Sequence, residues 1–171
     1  MLRIRASSLA LVVTLAGVAA VLTVVPTPPP AVADTSVDCT PTQTTAGALG
    51  EPADGIHPIS PIRLADTRSG LGGHQGRLDR NCVLRIDLDD TGAIGAQATA
   101  VALSVIAVDA DTRGFQTVYP CDGGRPPTSN VNPRPGTPTP NLVITPVQAS
   151  RDICVFTNVP THLVVDATGW Y

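Results

Sequence analysis

Thr99-Ala100-Val101-Ala102-Leu103-Ser104-Val105-Ile106-Ala107-Val108 is the stretch whose reading decides the fold. It holds no glycine, proline or charge, and its side chains alternate with a period of two. Val101, Leu103 and Val105 lie on one face, and Ala100, Ala102 and Ser104 on the other. Large residues on one side and small ones on the other suit a central strand packed on both faces. Shorter runs of the same kind lie around it: Pro61–Asp66, Cys82–Leu88, Phe115–Tyr119, Asn141–Val147, Ile153–Thr157 and Leu163–Tyr171, with a brief one at Ser129–Asn132. Turn-forming clusters separate them, and Ala110-Asp111-Thr112-Arg113-Gly114 reads as a hairpin turn. Apolar residues nowhere recur at helical spacing for three turns, and the 17 prolines interrupt most windows. About eight strands in some 115 residues predict an all-β domain, an antiparallel β-sandwich. A small barrel or a β-trefoil is the alternative, although no threefold internal repeat is visible.

The N-terminal third carries a different signal. Arg3 and Arg5 precede an apolar run from Leu9 to Val25, and Ala31-Val32-Ala33 stands before Asp34. A charged start, an apolar middle and a small-x-small site make residues 1–33 a secretory signal peptide, cleaved before Asp34. The run is 17 residues, the short limit of a membrane span, so membrane attachment follows only if the signal stays uncleaved. Ser36-Val37-Asp38 before Cys39 is not a lipobox, and Pro-Thr-Pro-Pro-Pro at 26–30 would be a stiff polyproline II spacer if retained. Residues 34–57, rich in Thr, Ala, Gly and Pro, read as a flexible arm tied down only by Cys39. The domain proper is residues 58–171, and the expected location is secreted, in the medium or on the cell envelope.

Export into an oxidising compartment turns the four cysteines into expected disulfides. Three pairings are possible. Cys39–Cys82 with Cys121–Cys154 nests no loop inside another, and it joins the end of one strand run to the start of another.

Composition excludes several classes of function. The chain has 11 arginines, no lysine and 14 acidic residues, a net charge of −3 that becomes −5 without the signal. A nucleic-acid-binding domain needs a basic stripe, and none exists. Without lysine there is neither a Walker A loop nor a Schiff base, and no G-x-S-x-G elbow occurs. The cluster Gly70-Leu71-Gly72-Gly73-His74-Gln75-Gly76 fails the dinucleotide fingerprint and reads as a turn. His57, His74 and His162 are scattered, with no H-x-x-x-H pair for zinc. Asp87-Leu88-Asp89-Asp90-Thr91-Gly92 places carboxylates as a calcium loop would, but its twelfth position is Ala98, so a strand-to-turn junction is expected. Neither a metal nor a cofactor is expected. A glycosidase needs two carboxylates across a cleft, and with 13 Asp and only Glu51 the spacing selects no pair.

Three stretches stand out together: Pro61-Ile62-Arg63-Leu64-Ala65-Asp66-Thr67-Arg68, Pro127-Thr128-Ser129-Asn130-Val131-Asn132, and Leu163-Val164-Val165-Asp166-Ala167-Thr168-Gly169-Trp170-Tyr171. With Gly114-Phe115-Gln116-Thr117-Val118-Tyr119-Pro120-Cys121 and Ile153-Cys154-Val155-Phe156, they make residues 58–171 resemble a secreted β-domain common in actinobacteria. That group opens on R-L-L-D-T-R, closes on D-V-x-G-[YFW], and carries G-[YF]-x-T-V-Y-P-C between. Ala65 replaces the second Leu of the opening, and Ser104 stands where the group usually has Asn in L-N-V-T. The resemblance implies an accessory surface or wall-associated module, found alone or appended to exported hydrolases, and no established activity.

Physically, Asp66 and Asp166 are carboxylates in apolar strands and need cationic partners, which Arg63 and Arg68 can supply. The expectation is a structural ion-pair network of Arg63, Asp66, Arg68 and Asp166 rather than a catalytic dyad. Asn130, Asn132 and Asn141 can satisfy loop backbone groups or bind sugar hydroxyls. Tyr119, Trp170 and Tyr171 are the aromatics able to stack on a sugar ring. Loop 122–140, with six prolines, would present a rigid rim. The expected function is therefore a non-enzymatic exported binding module for a cell-wall glycan or a secreted protein, with Tyr119, Asn130, Asn132, Trp170 and Tyr171 as binding residues. A structural or adhesive surface protein is the alternative, and an Asp-based hydrolase a third. A flat exposed aromatic strip would favour glycan, an apolar patch protein, and a deep cleft with paired Asp hydrolysis.

Overall fold

A computed structural model of the chain describes residues 37–39 and 55–171; the proposed signal and most of the arm lie outside the described residues. The strands are β1 (Val37–Asp38), β2 (His57–Asp66), β3 (Cys82–Asp87), β4 (Ala100–Val108), β5 (Gln116–Pro120), β6 (Thr139–Pro146), β7 (Asp152–Thr157) and β8 (His162–Trp170). They form two four-stranded antiparallel sheets, ordered β1-β3-β7-β5 and β2-β8-β4-β6, packed face to face as a sandwich with no closed barrel.

The core between the sheets is built from the period-two positions. Leu84, Ile86, Val118, Ile153 and Val155 come from the first sheet, and Leu64, Val101, Leu103, Val105, Val143, Leu163 and Val165 from the second. All are small or branched aliphatics, which interdigitate between pleated faces. The decisive run behaves as an inner strand, β4 lying between β8 and β6. It does not pack on both faces, however. On the outer side Ala102 is buried, whereas Ala100, Ser104, Ile106 and Val108 are half-buried, so that face is only partly covered.

Three expectations are corrected. Ala110–Gly114 is not a hairpin turn, because β4 and β5 belong to opposite sheets. The segment crosses between the sheets, held by the Arg77 guanidinium, which donates to the Asp109 and Pro160 carbonyls and to the Asp111 carboxylate. Ser129–Asn132 is not a strand; Val131 makes a single bridge to Gln116 and is buried in the core. Within the expected loose arm, Val37 and Asp38 pair with Leu84 and Val83, making β1 a short edge strand.

Both disulfides have the pairing inferred from loop nesting, Cys39–Cys82 and Cys121–Cys154. Each joins neighbouring strands of the first sheet. Cys39 follows Asp38 into register opposite Cys82, and Cys121 lies just beyond the Tyr119↔Cys154 pair. The bridges suit an oxidising extracellular setting. No helix among the described residues is long and apolar enough to cross a membrane.

Candidate functional site

Arg63, Asp66, Arg68 and Asp166 meet at one place, as their residue types require. Arg63 on β2 stands opposite Asp166 on β8, and its Nε and Nη2 donate to the two Asp166 oxygens at 2.7 and 3.2 Å. Its Nη1 donates to Asp66 Oδ2 at 3.1 Å. Arg68 closes a two-pronged pair on Asp66 through Nε and Nη2, at 2.8 and 2.7 Å, and its backbone N–H donates to the same carboxylate. The Arg68 hydrogen bonds hold the Asp66 carboxyl down at about 2, against desolvation acting the other way. Both guanidinium groups are shifted upward in turn, by the Asp166 and Asp66 hydrogen bonds respectively.

The burial is uneven. The Asp66 side chain is 8% exposed, whereas those of Arg63 and Arg68 are 42% and 47% exposed. The Asp66 main chain explains why the acid is there. Its carbonyl accepts from Ser69 and Gly70 N–H and from the Ser69 hydroxyl, and its N–H donates to Leu71. The carboxylate adds to that turn by accepting the Arg68 N–H, an Asx-type bond. Thr67, fully buried, ties that turn to β8 through Leu163 N–H and O and the His162 ring. This is a fastening, and every polar atom of the Asp66 carboxylate is committed to it.

The expected aromatic binding platform is not formed. Trp170 is 9% exposed, stacked on His57 with ring centroids 4.0 Å apart, and belongs to the core. Tyr119 is 5% exposed on the outer side of the first sheet with Val83, Cys154 and Phe156, and burial raises its hydroxyl pKa. Loop 122–140 folds over this cluster, with Arg125 4.1 Å above the Phe156 ring. Large aromatics are the best available filler for a small core, and they serve as that. Tyr171 is half-buried, its backbone paired with Thr99 and Ala100.

The asparagines divide their roles. Asn130 Oδ1 accepts from Val118 N–H at 2.8 Å, and the Asn130 carbonyl accepts from Asn141 Nδ2 at 2.6 Å, which fastens the proline loop to β5 and β6. Exposed Asn132 only accepts from the Ser129 hydroxyl. Asn130, Asn132 and Asn141 border a shallow polar depression with Arg134 and Thr137.

Sequence reasoning missed the most unusual surface. On the outer face of the second sheet, Arg63, Asp166, Ser104 and Leu142 stand in one cross-strand row, and Ala102 faces Ile144 in a neighbouring row. Leu142 is 63% and Ile144 55% exposed, on the edge strand β6, which carries no charged residue. Half-buried Ile106 and exposed Pro140, paired across β4 and β6, extend the apolar strip. Beside it a groove of about 280 Å³ runs between the two sheet edges, walled by Val118, Tyr119 and Pro120 on one side and Ile144, Thr145 and Pro146 on the other. The alternation of β6 reads equally as inside and outside positions; what it does not announce is that the outside ones stay uncovered.

Among the described residues no group of three or more His, Cys, Asp or Glu is placed to hold a metal ion. The Asp87–Gly92 stretch is a strand-to-turn junction, with Asp87 capping Asp89 N–H and Asp89 paired to Arg151 at 2.6 Å. Comparison of the chain with protein-family models, with curated proteins and with solved structures finds no match.

Proposed function

We propose that this is an exported, non-enzymatic module that binds another protein through the outer face of its second sheet. The observation that carries this is the exposure of Leu142 and Ile144 on an uncharged edge strand next to an apolar groove. Contiguous exposed apolar surface is uncommon on soluble domains and marks contact surfaces. The polar end of the same face, with Arg63, Asp166 and Ser104, supplies the rim that such surfaces need for orientation. A glycan reading is disfavoured because Trp170 and Tyr119 have no open ring face to offer. A hydrolase reading is disfavoured because Asp66 and Asp166 are both taken up by arginines.

Export belongs to the same proposal. It rests on the leader-like residues 1–33, the two disulfides and the resemblance of residues 58–171 to secreted actinobacterial β-domains.

The test is retention. Purified oxidised protein and its Leu142→Lys/Ile144→Lys variant are immobilised and exposed in parallel to secreted proteins and to purified cell wall. Retention of a protein by the wild type alone is the expected result. Binding to wall polysaccharide that the double variant preserves would overturn the assignment of this face.

A further inference from the structure

We infer that β6 is a self-pairing edge: two copies of this chain join β6 to β6 in antiparallel register about Val143. This rests on the proposal that the β6 face docks protein, and it names the occupant as a second copy.

Val147 N–H donates to the Thr99 carbonyl, in register with the Val101–Thr145 and Leu103–Val143 pairs. Hydrogen-bonded and non-hydrogen-bonded pairs alternate in an antiparallel ladder. Asn141, Val143 and Thr145 therefore turn their backbone groups toward β4, whereas Pro140, Leu142, Ile144 and Pro146 turn theirs away from it. β6 ends its sheet, and no described strand takes this edge. The outward N–H groups of the strand belong to Leu142 and Ile144 alone, because Pro140 and Pro146 have none.

The pattern Pro140-Asn141-Leu142-Val143-Ile144-Thr145-Pro146 is symmetric about Val143 in its prolines and its large aliphatics. Antiparallel pairing centred there sets Leu142 against Ile144 of the second copy, and Ile144 against its Leu142. Four N–H to C=O bonds form, and every outward backbone group of both residues is used. Pro140 then faces Pro146 at each end, so neither position leaves a donor unmet. Slipping by two residues keeps four bonds, because Ile144 N–H then meets the Pro140 carbonyl, but it sets the Ile144 side chain against Pro140 and breaks the Leu142–Ile144 contacts, so the side chains choose the register. On the outer face the same register brings Leu142 and Ile144 side chains of the two copies together, removing from water the most exposed large aliphatics among the described residues. An isologous contact of this kind closes on itself and stops at two. The prolines limit it to a short window, which separates it from open-ended edge aggregation. No charge lies on the strand to oppose the approach.

Sedimentation of the purified oxidised protein from about 1 µM to about 1 mM, the range over which a short interface associates, reads the inference directly. The expected result is a mass rising from one chain toward two. Ile144→Lys should stay monomeric throughout and melt with the dilute, monomeric wild type, since the position is exposed in the single chain. Mixing Leu142→Cys with Ile144→Cys should give an air-oxidised mixed dimer, with neither variant cross-linking efficiently to itself. A wild type that stays monomeric throughout, a dimer that Ile144→Lys leaves intact, or self-linking of Leu142→Cys in place of the mixed product would each overturn it. The two proposals fail separately. A monomer that still retains a secreted protein through Leu142 and Ile144 sinks self-pairing alone, and a dimer that retains nothing else sinks the wider binding role.

Discussion

Replacing Asp66 with Asn removes one charge from the turn that ends β2 and changes almost no volume, so its effect is electrostatic. The carboxyl is held at about 2 against an ordinary value of 3.8, mainly by the Arg68 hydrogen bonds. At 1.36 kcal/mol for each tenfold, that difference corresponds to roughly 2.5 kcal/mol at neutral pH. Both arginines are more than 40% exposed, so water and salt screen part of it. A cost of about 1–2 kcal/mol remains, or roughly 4–8 °C in melting temperature for a domain of this size. This is well below the 3–5 kcal/mol typical of breaking a fully buried pair, because arginines freed at the surface regain water. The sign follows from the lowered pKa. The stabilisation is complete above about pH 5, where the unfolded carboxyl is ionised, and is lost as pH falls through about 2. Urea unfolding of wild type and Asp66→Asn at pH 7 and at pH 2 isolates this group from the other titrating acids. The gap between the two proteins should be present at pH 7 and should narrow by at least half at pH 2. Equal stability at pH 7, or a gap of the same size at both pH values, would refute the ion-pair account.

Other outcomes follow from single features. Secreted material should begin at Asp34 on N-terminal sequencing; an intact Met1 would make the apolar run an anchor. Replacing Cys121 and Cys154 together by Ala opens a ring whose ends are 33 residues apart and should cost about 3–4 kcal/mol by urea unfolding, and a cost under 1 kcal/mol would mean that the unfolded chain is scarcely constrained by the bridge. Gly72 adopts φ +79°, and a Cβ there would lie 2.8 Å from the Leu64 carbonyl oxygen, so Gly72→Ala should lose about 1–3 kcal/mol; a neutral result would show that this turn can reopen freely. Trp170, the sole tryptophan, should emit at short wavelength in the folded protein and be unmoved by cell-wall oligosaccharides; a ligand-dependent shift would restore it as a sugar platform.

Seven of the eight strands were legible as β-favouring runs between turn clusters, most of them with alternating aliphatics, while β5, with Val118 as its one aliphatic, stands out through Thr117, Val118 and Tyr119. β1 was not, since two residues cannot carry a period; Val37 and Asp38 are recruited by the register that Cys39–Cys82 continues. Ala110–Gly114 has turn chemistry that fits a hairpin or a crossover equally, and only packing decides between the sheets. The arginine–aspartate cluster was readable because charge inside an apolar strand demands a partner close by. Trp170 and Tyr119 were misjudged because an aromatic suits a binding face or a sparse core alike, and this chain has only five to fill its interior. Leu142 and Ile144 escaped notice for a related reason. Their exposure depends on what fails to cover β6, and no local pattern encodes the absence of a neighbour.

The Cys121–Cys154 bridge keeps the protein in one piece even where its chain is cut. Cys121 and Cys154 close a covalent ring that contains the whole proline loop and β6. A single peptide-bond scission anywhere from residue 122 to residue 153 leaves both fragments tied together, and each fragment contributes strands to both sheets. An extracellular protease that nicks the exposed rim therefore produces a two-chain molecule of unchanged mass apart from one added water. Such a molecule would run as one band without reductant and as two with it.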